Sequence, residues 1–257
     1  MLVGEIINII ESVAPLRQQE GWDNSGLQIG NREAKVNRVL LCTDVTETVV
    51  TEAIETHCEM IVSHHPLLFH GLKTIQDLTP QQRITVEAIK HDIAIYSSHT
   101  AMDCYLHGVS GRMAMKLGVR DYKILAPTID ENTGLGIIGK LPEAVSLIEF
   151  LQLVKDTFKA PVVRYTTNDK TDSIQTIALC GGAGSEFLQQ AIDAGADAYL
   201  SADFKYHEFQ QADNQIAVVD IGHFESEQFT KEVFAELLQG KVETMFAKAD
   251  KSPVLIY

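Results

Sequence analysis

Short runs of aliphatic and β-branched residues alternate with amphipathic helical patterns along most of this 257-residue chain, and this alternation constrains the fold more than any other feature. The apolar runs are VLLC, MIVS and IAIYSS in the first half and TIALC, AYLS and IAVVDI in the second. Helical patterns separate several of them, at residues 47–57, 81–91, 185–194 and 227–238. Strands that alternate with helices of about 10 to 15 residues indicate βαβ units, so we expect an α/β protein with mostly parallel or mixed sheets.

Two sets of these units predict two linked α/β lobes. Between the sets, residues 121–175 differ in character, because GLGIIGKL and PVVRY read as exposed or antiparallel strands on either side of a helical pattern at 146–158. We expect a first lobe of residues 1–127 plus 216–257 and a second lobe of residues 128–215. In this interpretation the last helix and the terminal VLIY strand return to the first lobe, which contains most of the candidate ligands described below.

The composition excludes several classes of partner. The formal net charge is -14, from 35 acidic and 21 basic residues. Because nucleic acids and anionic lipid surfaces bind dense cationic patches, we expect neither as a direct partner. The N-terminal pattern is an amphipathic helix without a preceding basic segment, and it is not typical of a signal peptide. We expect a cytoplasmic protein, and a reducing compartment also suits the four scattered cysteines, Cys42, Cys58, Cys104 and Cys180.

Polar residues follow five of the apolar runs directly. Ligands of parallel α/β sheets bind beyond the carboxyl ends of the strands, so these residues are the candidates for chemistry. One histidine at a strand end is usually a core or capping residue, but five such ends together favour a metal site. The residues are Thr43 and Asp44, His64 and His65, His99 and Asp103, Asp203 and His207, and His223 and Glu227.

The spacing of these residues predicts a pair of metal ions. His223 and Glu227 are four residues apart at the start of the last predicted helix, so their Cβ atoms are expected about 5 to 6 Å apart and one ion can be bound by both. Neighbouring residues of a strand point in different directions, so His64 and His65 suit two ions better than one. A bridging carboxylate is then required, and Glu227 or Asp103 could supply it.

Two loops have glycine-rich sequences. CGGAGSEF, residues 180–187, follows a strand and opens a helix, so it is either a phosphate cradle or a tight turn with Ser185 as the helix cap. Gly181 and Gly182 are therefore candidate substrate-binding residues, together with Asp203 and His207. GWDNSGLQIG, residues 21–30, is a surface loop that could line a site and contains the only tryptophan. The other four histidines are expected on helix surfaces, in loops or at helix ends: His57, His70, His91 and His107.

Six motifs, in order along nearly the full length, resemble those of the GTP cyclohydrolase I type 2 homologs, also called NIF-three-like or YbgI-type dinuclear metal proteins. The motifs are WDNSGLQIG, SHHPLLF, SSHTAMD, CGGAGSE, DAYLSADFKYHE and GHFESE. The resemblance implies two linked α/β lobes of the NIF-three-like fold. It also implies a homohexameric ring and a two-metal site that faces an internal cavity.

The resemblance also assigns roles to individual residues. It places His64 and Asp103 on one ion, His65 and His223 on the other, and Glu227 between them. His99 then supports the ligands or acts in catalysis. The chain has AMD at residues 101–103 and SAD at 201–203 where the family more often has NLD and TGD, so substrate contacts there are expected to differ.

The function expected from these features is hydrolysis. Two divalent ions, Zn, Mn, Fe or Ni, would lower the pKa of a bound water toward about 7 and supply a metal-bound hydroxide. Glu227 and His99 are the expected catalytic residues, and His99 or His207 could move the proton. The family name implies attack on C8 of the guanine ring of GTP with release of formate. The alternatives are a metal-dependent phosphoesterase and a non-catalytic ring that stores, delivers or senses metal.

Overall fold

The structure is a computed structural model, and it describes residues 1–167 and 173–257. The strands in this part of the chain are β1 (Gly26–Ile29), β2 (Arg38–Cys42), β3 (Met60–Ser63), β4 (Ala94–Ser97), β5 (Arg120–Asp130), β6 (Thr133–Ser146), β7 (Arg164–Tyr165), β8 (Ser173–Ala183), β9 (Ala198–Ala202), β10 (Ala217–Asp220) and β11 (Glu243–Phe246). The helices are α1 (Val3–Glu11), α2 (Glu47–Glu55), α3 (Pro80–Lys90), α4 (Thr100–Asp103), α5 (Val109–Leu117), α6 (Leu147–Phe158), α7 (Leu188–Asp193), α8 (Tyr206–Gln210), α9 (His223–Glu227) and α10 (Thr230–Leu238). Every helix among the described residues is too short or too polar to cross a lipid bilayer.

Backbone contacts divide the chain into two compact units. The first unit contains residues 1–102 and 230–251, and the second contains residues 103–229 and 252–257. The predicted lobes had different limits, since residues 103–127 and 216–229 group here with the second unit. The reason is strand pairing, because β5 pairs with β6 and β10 pairs with β9. Helix α10 groups with the first unit, whereas the terminal VLIY segment forms no strand and groups with the second.

The first unit contains a five-stranded sheet in the order β1-β4-β3-β2-β11. Four of its strands run parallel, and β1 pairs antiparallel with β4 at one edge. All residues of β3 and β4 are buried, as expected for parallel strands covered on both faces. The predicted runs VLLC, MIVS and IAIYSS coincide with β2, β3 and β4 within one residue at each end.

Helices cover this sheet because their apolar residues recur at helical spacing. Helix α1 buries one stripe of side chains, Val3, Ile6, Ile7 and Ile10, and contacts α10. Helices α2 and α3 are capped by Thr46 and Thr79, whose hydroxyl oxygens accept hydrogen bonds from backbone N–H groups of the first turn. Both helices contribute to a cluster with the strand side chains Leu40, Ile61 and Ile95.

The second unit contains a six-stranded sheet in the order β5-β6-β8-β9-β10-β7. Strands β8, β9 and β10 run parallel, while β5, β6 and β7 pair antiparallel with their neighbours. The sheet is therefore mixed, which agrees with the antiparallel character predicted for residues 121–175. Asp130 ends β5 and Thr133 begins β6, so the segment between them is the tip of a hairpin.

Helix α6 shows how the local sequence defines an element of this unit. Ser146 caps its first turn by accepting from the Glu149 N–H, and the Glu149 carboxylate accepts from the Ser146 N–H in return. Its buried residues, Phe150, Val154 and Phe158, recur every four positions and pack in a cluster with strand residues of β8, β9 and β10. The sequence predicted this helix within one residue.

Candidate metal site

Three histidines come together in the first unit, at the edge where β3 and β4 end. His64 and His65 follow β3, and His99 follows β4, which is its parallel neighbour. Ring nitrogens of all three lie within 4.8 Å of one another, so the group could hold a metal ion. The His64 and His65 ring centroids lie 4.8 Å apart, with the ring planes inclined by 47°.

Each of these imidazoles is oriented through its Nδ1 atom. An oxygen that can only accept a hydrogen bond faces that nitrogen in every case, so Nδ1 holds the hydrogen and Nε2 keeps the lone pair that a metal needs. Acceptors in this position are the usual support of metal-binding histidines. The pairs are His64 with the Ser98 carbonyl oxygen at 3.2 Å, His65 with Asp44 Oδ1 at 2.9 Å, and His99 with Asp23 Oδ1 at 2.8 Å.

Asp23 is a site residue that the sequence reasoning missed. Its side chain has no exposed surface and also accepts hydrogen bonds from the Thr100 N–H, the Thr100 hydroxyl and the Ser25 hydroxyl. Burial raises the pKa of this carboxyl, but the hydrogen bonds from His99, Thr100 and Ser25 outweigh burial and hold the pKa well below its usual value. Its position inside the WDNSGLQIG motif was the available signal, since that loop was expected to line a site.

In the second unit, His223 and Glu227 lie one turn apart on α9. His223 Nε2 is 3.1 Å from Glu227 Oε2, which confirms the contact predicted from their spacing. The sequence placed both at the start of the last long helix, but α9 ends at Glu227 and α10 begins at Thr230. By their backbone contacts, α9 groups with the second unit and α10 with the first.

Asp203 holds the other nitrogen of His223, with its Oδ2 atom 2.7 Å from Nδ1. Burial lowers the pKa of His223, but the hydrogen bonds and negative charges of Asp203 and Glu227 outweigh burial and raise that pKa to about 11. A cation bound at Nε2 must therefore displace a proton. Asp203 was predicted to bind substrate, whereas its observed contact orients an imidazole.

A second carboxylate lies beside Glu227. Asp103 ends α4 and is the first residue of the second unit, and its carboxylate oxygen is within 4.8 Å of one from Glu227. The Cys180 thiol is buried, and burial together with the charges of Asp103 and Glu227 raises its pKa. That thiol therefore stays protonated at neutral pH.

The glycine-rich loop makes room for Glu227. A Cβ atom on Gly182, whose φ is +64°, would lie 2.3 Å from Glu227 Oε1 and 3.3 Å from His223 Cε1. A Cβ atom on Gly181 would lie 2.5 Å from a methyl carbon of Val109. These two glycines were predicted to bind substrate, but their observed contacts are with the carboxylate that is the predicted bridging ligand and with the helix beside it.

Three backbone N–H groups of this loop are already used. Serine hydroxyl oxygens accept hydrogen bonds from them, so these three groups are not available to cradle a phosphate. The cap of the following turn is Gly184 rather than the predicted Ser185. The pairs are Gly181 with Ser110, Gly182 with Ser226, and Gly184 with Ser201.

The remaining histidines are outside these groups. His207, predicted to bind substrate or move a proton, is exposed on α8 and contacts the Tyr206 ring. The four histidines expected at surfaces and helix ends are found there. His57 follows α2 with a positive φ, His70 contacts Phe69, His91 caps the end of α3, and His107 contacts the Tyr122 hydroxyl.

A cavity of about 500 Å³ in the second unit was not predicted. Its lining includes Arg164, Tyr165, Tyr206 and Phe209, and it contains none of the candidate metal ligands. The Arg164 guanidinium stacks over the Phe209 ring and donates to the Asp220 carboxylate. Its size alone does not make it the reactive site, because the titratable groups that suit chemistry lie elsewhere.

The fold and these side-chain groups define a two-unit α/β protein with histidine and carboxylate clusters that could hold metal. The chain belongs to the Duf34/NIF3 (NGG1p interacting factor 3) family, whose model matches residues 1–253. This finding confirms the resemblance drawn from the six motifs and the fold class.

Individual relatives are similar over almost their whole length. The chain is 35% identical to a GTP cyclohydrolase 1 type 2 homolog of Clostridium perfringens, with 98% of each chain covered. It is 33% identical to the protein of the same name in Clostridium acetobutylicum, with 99% of this chain and 94% of the relative covered.

Two solved structures have the same fold. A Bacillus cereus protein related to NIF3 superimposes with a TM-score of 0.91 at 25% identity and covers 100% of this chain and 99% of its own. Reduced HcgD of Methanocaldococcus jannaschii superimposes with a TM-score of 0.81 at 26% identity and covers 96% of this chain and 98% of its own.

Proposed function

We propose that the protein is a metal-dependent hydrolase that binds two divalent ions. In this proposal the ligands are the five residues that the family resemblance implies: His64, His65, Asp103, His223 and Glu227. His99 and Glu227 are the proposed catalytic residues.

One observation supports this proposal most strongly: four imidazoles each have an acceptor oxygen at Nδ1, which leaves Nε2 for a metal ion or a proton. His64, His65, His99 and His223 each direct Nδ1 at an acceptor, and three of those acceptors are carboxylates. A carbonyl acceptor at Nδ1 also occurs at the surface residue His91, but carboxylate acceptors are the usual support of metal ligands and proton carriers. The donor set of imidazole and carboxylate without thiolate suits Zn, Mn, Fe or Ni.

The residues of the two groups have distinct tasks. Bound divalent ions would polarise the bond under attack and lower the pKa of a coordinated water. Asp203 keeps the hydrogen on Nδ1 of His223, so Nε2 is the atom that gives up its proton when a cation binds. Asp23 does the same for His99, whose Nε2 can then accept a proton during hydrolysis.

The proposed substrate is a nucleotide-like molecule. The relatives named GTP cyclohydrolase 1 type 2 homolog support this choice, and attack on C8 of the guanine ring of GTP is its most literal form. A phosphoester is the second candidate, because two metal ions stabilise an in-line displacement equally well. The serine contacts of the glycine-rich loop weaken one argument for the phosphoester, since the N–H groups of Gly181 and Gly182 already donate to serine hydroxyls.

Assembly and location are also proposed from the resemblance. We propose a cytoplasmic homohexameric ring, and the mass of the purified protein by light scattering is expected to equal six chains. A monomeric mass at micromolar concentration would contradict the ring.

The test of the hydrolase proposal is a substrate panel with a matched pair of variants. Nucleotides including GTP and generic phosphoesters are assayed with Zn, Mn, Fe and Ni for the wild type, Glu227→Ala and Glu225→Ala. Glu225 lies on the same short helix, so its variant controls for damage to α9. Turnover that is lost only in Glu227→Ala would support the enzyme. Stoichiometric metal without turnover of any substrate would instead favour the storage, delivery or sensing role.

A further inference from the structure

Two exposed aromatic rings lie beside the histidine group of the first unit. Trp22 is 59% exposed and Phe69 is 39% exposed. Their ring centroids are 5.8 Å apart with the planes inclined by 50°. Both rings meet the His99 imidazole nearly edge to face, Trp22 at 5.9 Å and Phe69 at 6.3 Å. The exposed ring surface therefore begins next to an imidazole that the proposed function uses.

Polar contacts hold the loops that contain these two rings. The Asn24 side-chain amide donates to the Leu68 carbonyl oxygen at 2.6 Å. The Gln28 side chain accepts from the Leu68 N–H at 3.2 Å and donates to the Asn24 carbonyl oxygen at 2.7 Å. Trp22 is thus two residues from one anchor, and Phe69 is next to the other. The rings are positioned before any ligand arrives, which lowers the entropic cost of binding.

Asp23 also holds the Trp22 loop in place, through contacts with His99 and Thr100. It follows Trp22 directly, and its carboxylate accepts from His99 Nδ1 and from the Thr100 N–H and hydroxyl. The residue that orients the imidazole therefore also fixes the backbone beside the indole. A shared support of this kind couples the position of the aromatic surface to the position of the reactive nitrogen.

We propose that Trp22 and Phe69 form a stacking subsite for a planar heteroaromatic ring, which presents that ring to the histidine group. This inference rests on the proposed function in one respect, that the histidine group is where the reaction occurs. Inclined aromatic side chains bind the faces and edges of planar rings well, and stacking is tolerant of ring substituents. An aliphatic or purely ribose phosphate ligand would gain little from this surface.

The only tryptophan in the chain reports on this subsite directly. Metal-free and metal-loaded protein are titrated with guanosine 5′-monophosphate, and tryptophan emission is followed. Ribose 5-phosphate is the matched probe without the ring, and free N-acetyltryptophanamide corrects for absorption and collisional quenching. We expect saturable quenching by guanosine 5′-monophosphate in both protein forms and none by ribose 5-phosphate.

A pair of phenylalanine variants separates stacking from general apolar contact. Phe69→Leu keeps an apolar side chain but removes the ring, so the affinity for guanosine 5′-monophosphate should fall about tenfold. Phe246→Leu makes the same change at another exposed phenylalanine of the first unit, on β11, and should leave the affinity unchanged. Circular dichroism and the thermal midpoint confirm that both variants fold.

Several outcomes would overturn the subsite. They are absent or unsaturable quenching, equal quenching by ribose 5-phosphate, and wild-type affinity in Phe69→Leu. Emission that changes with protein concentration and not with the probe would make these rings a contact between copies of the chain, which also overturns it. Failure of the hydrolase proposal looks different, because saturable ring binding would persist without turnover. Turnover of a non-aromatic ester without tryptophan quenching would contradict the stacking subsite but not the hydrolase proposal.

Discussion

Gly182 determines whether the Glu227 carboxylate can occupy its observed position. The residue has a positive φ, and its missing Cβ leaves the space that Glu227 Oε1 occupies. Gly195 has a similar φ of +75°, but among the described residues no heavy atom beyond its own chain neighbours lies within 4 Å of the position that a Cβ would take there. The two glycines therefore separate the cost of a left-handed backbone from the cost of a blocked carboxylate.

We predict that Gly182→Ala loses metal binding and that Gly195→Ala does not. Both changes should lower the free energy of unfolding by about 1 to 2 kcal/mol, the cost of a left-handed conformation for alanine. Gly182→Ala should lower it further, because its Cβ must displace the buried Glu227 carboxylate. Metal stoichiometry by elemental analysis and unfolding in urea measure the two effects. Wild-type stoichiometry in Gly182→Ala would contradict the role assigned to this loop.

Asp23 should contribute stability that depends on pH. Its pKa in the folded chain lies below the unfolded value of about 3.8, so its contribution is present above that pH and is lost as the pH falls through the folded pKa. Asp23→Asn should cost about 2 kcal/mol near neutral pH, the size of a lost hydrogen bond to a charged group. The difference from wild type should shrink as the pH drops below about 4. Urea midpoints across this range test the prediction, and a constant difference would refute it.

At the scale of elements, the strands that the sequence revealed are the central ones. Strands β3 and β9 are continuous apolar runs, because both of their faces are buried. Three strands were missed, β1, β5 and β11, and the burial pattern explains why. They lie at sheet edges and are only partly buried, so their sequences lack a clear apolar period.

Helix α6 provides a prediction at this scale, since its start is fixed by local chemistry. Ser146→Ala removes the hydroxyl that accepts from the Glu149 N–H and should lower the free energy of unfolding by about 1 kcal/mol. Ser146→Asp restores an acceptor and should recover most of that loss. Both variants should bind metal as the wild type does, because α6 contains none of the candidate ligands. A loss of metal in Ser146→Ala with intact folding would contradict this separation.

At the scale of the whole molecule, metal binding should stabilise the folded chain. An ion present at a hundred times its dissociation constant adds about 2.7 kcal/mol, because it binds the folded state and not the unfolded one. For a chain of this size that corresponds to a rise in Tm of roughly 5 to 10 °C over chelated protein. Scanning calorimetry with and without a chelator measures the shift. Glu225→Ala should keep it, Glu227→Gln should reduce it, and equal shifts in the two variants would argue against Glu227 as a ligand.

The sequence by itself determined the class of fold and most of the candidate ligands. Apolar runs that stop abruptly at histidines and carboxylates are local signals, and so is the four-residue spacing of His223 and Glu227. Because the strands before His64 and His99 are parallel neighbours, the residues that follow these strands lie at the same edge of the sheet.

Only the tertiary structure decided how those ligands are supported. The carboxylate that orients His99 comes from Asp23, 76 residues earlier, and the one that orients His223 comes from Asp203, 20 residues earlier. It also showed that the glycine-rich loop leaves space for the Glu227 carboxylate. Periodicity along a chain records which residues share a face of one element. It does not indicate which distant carboxylate contacts an imidazole, because that pairing forms only when separate elements are assembled.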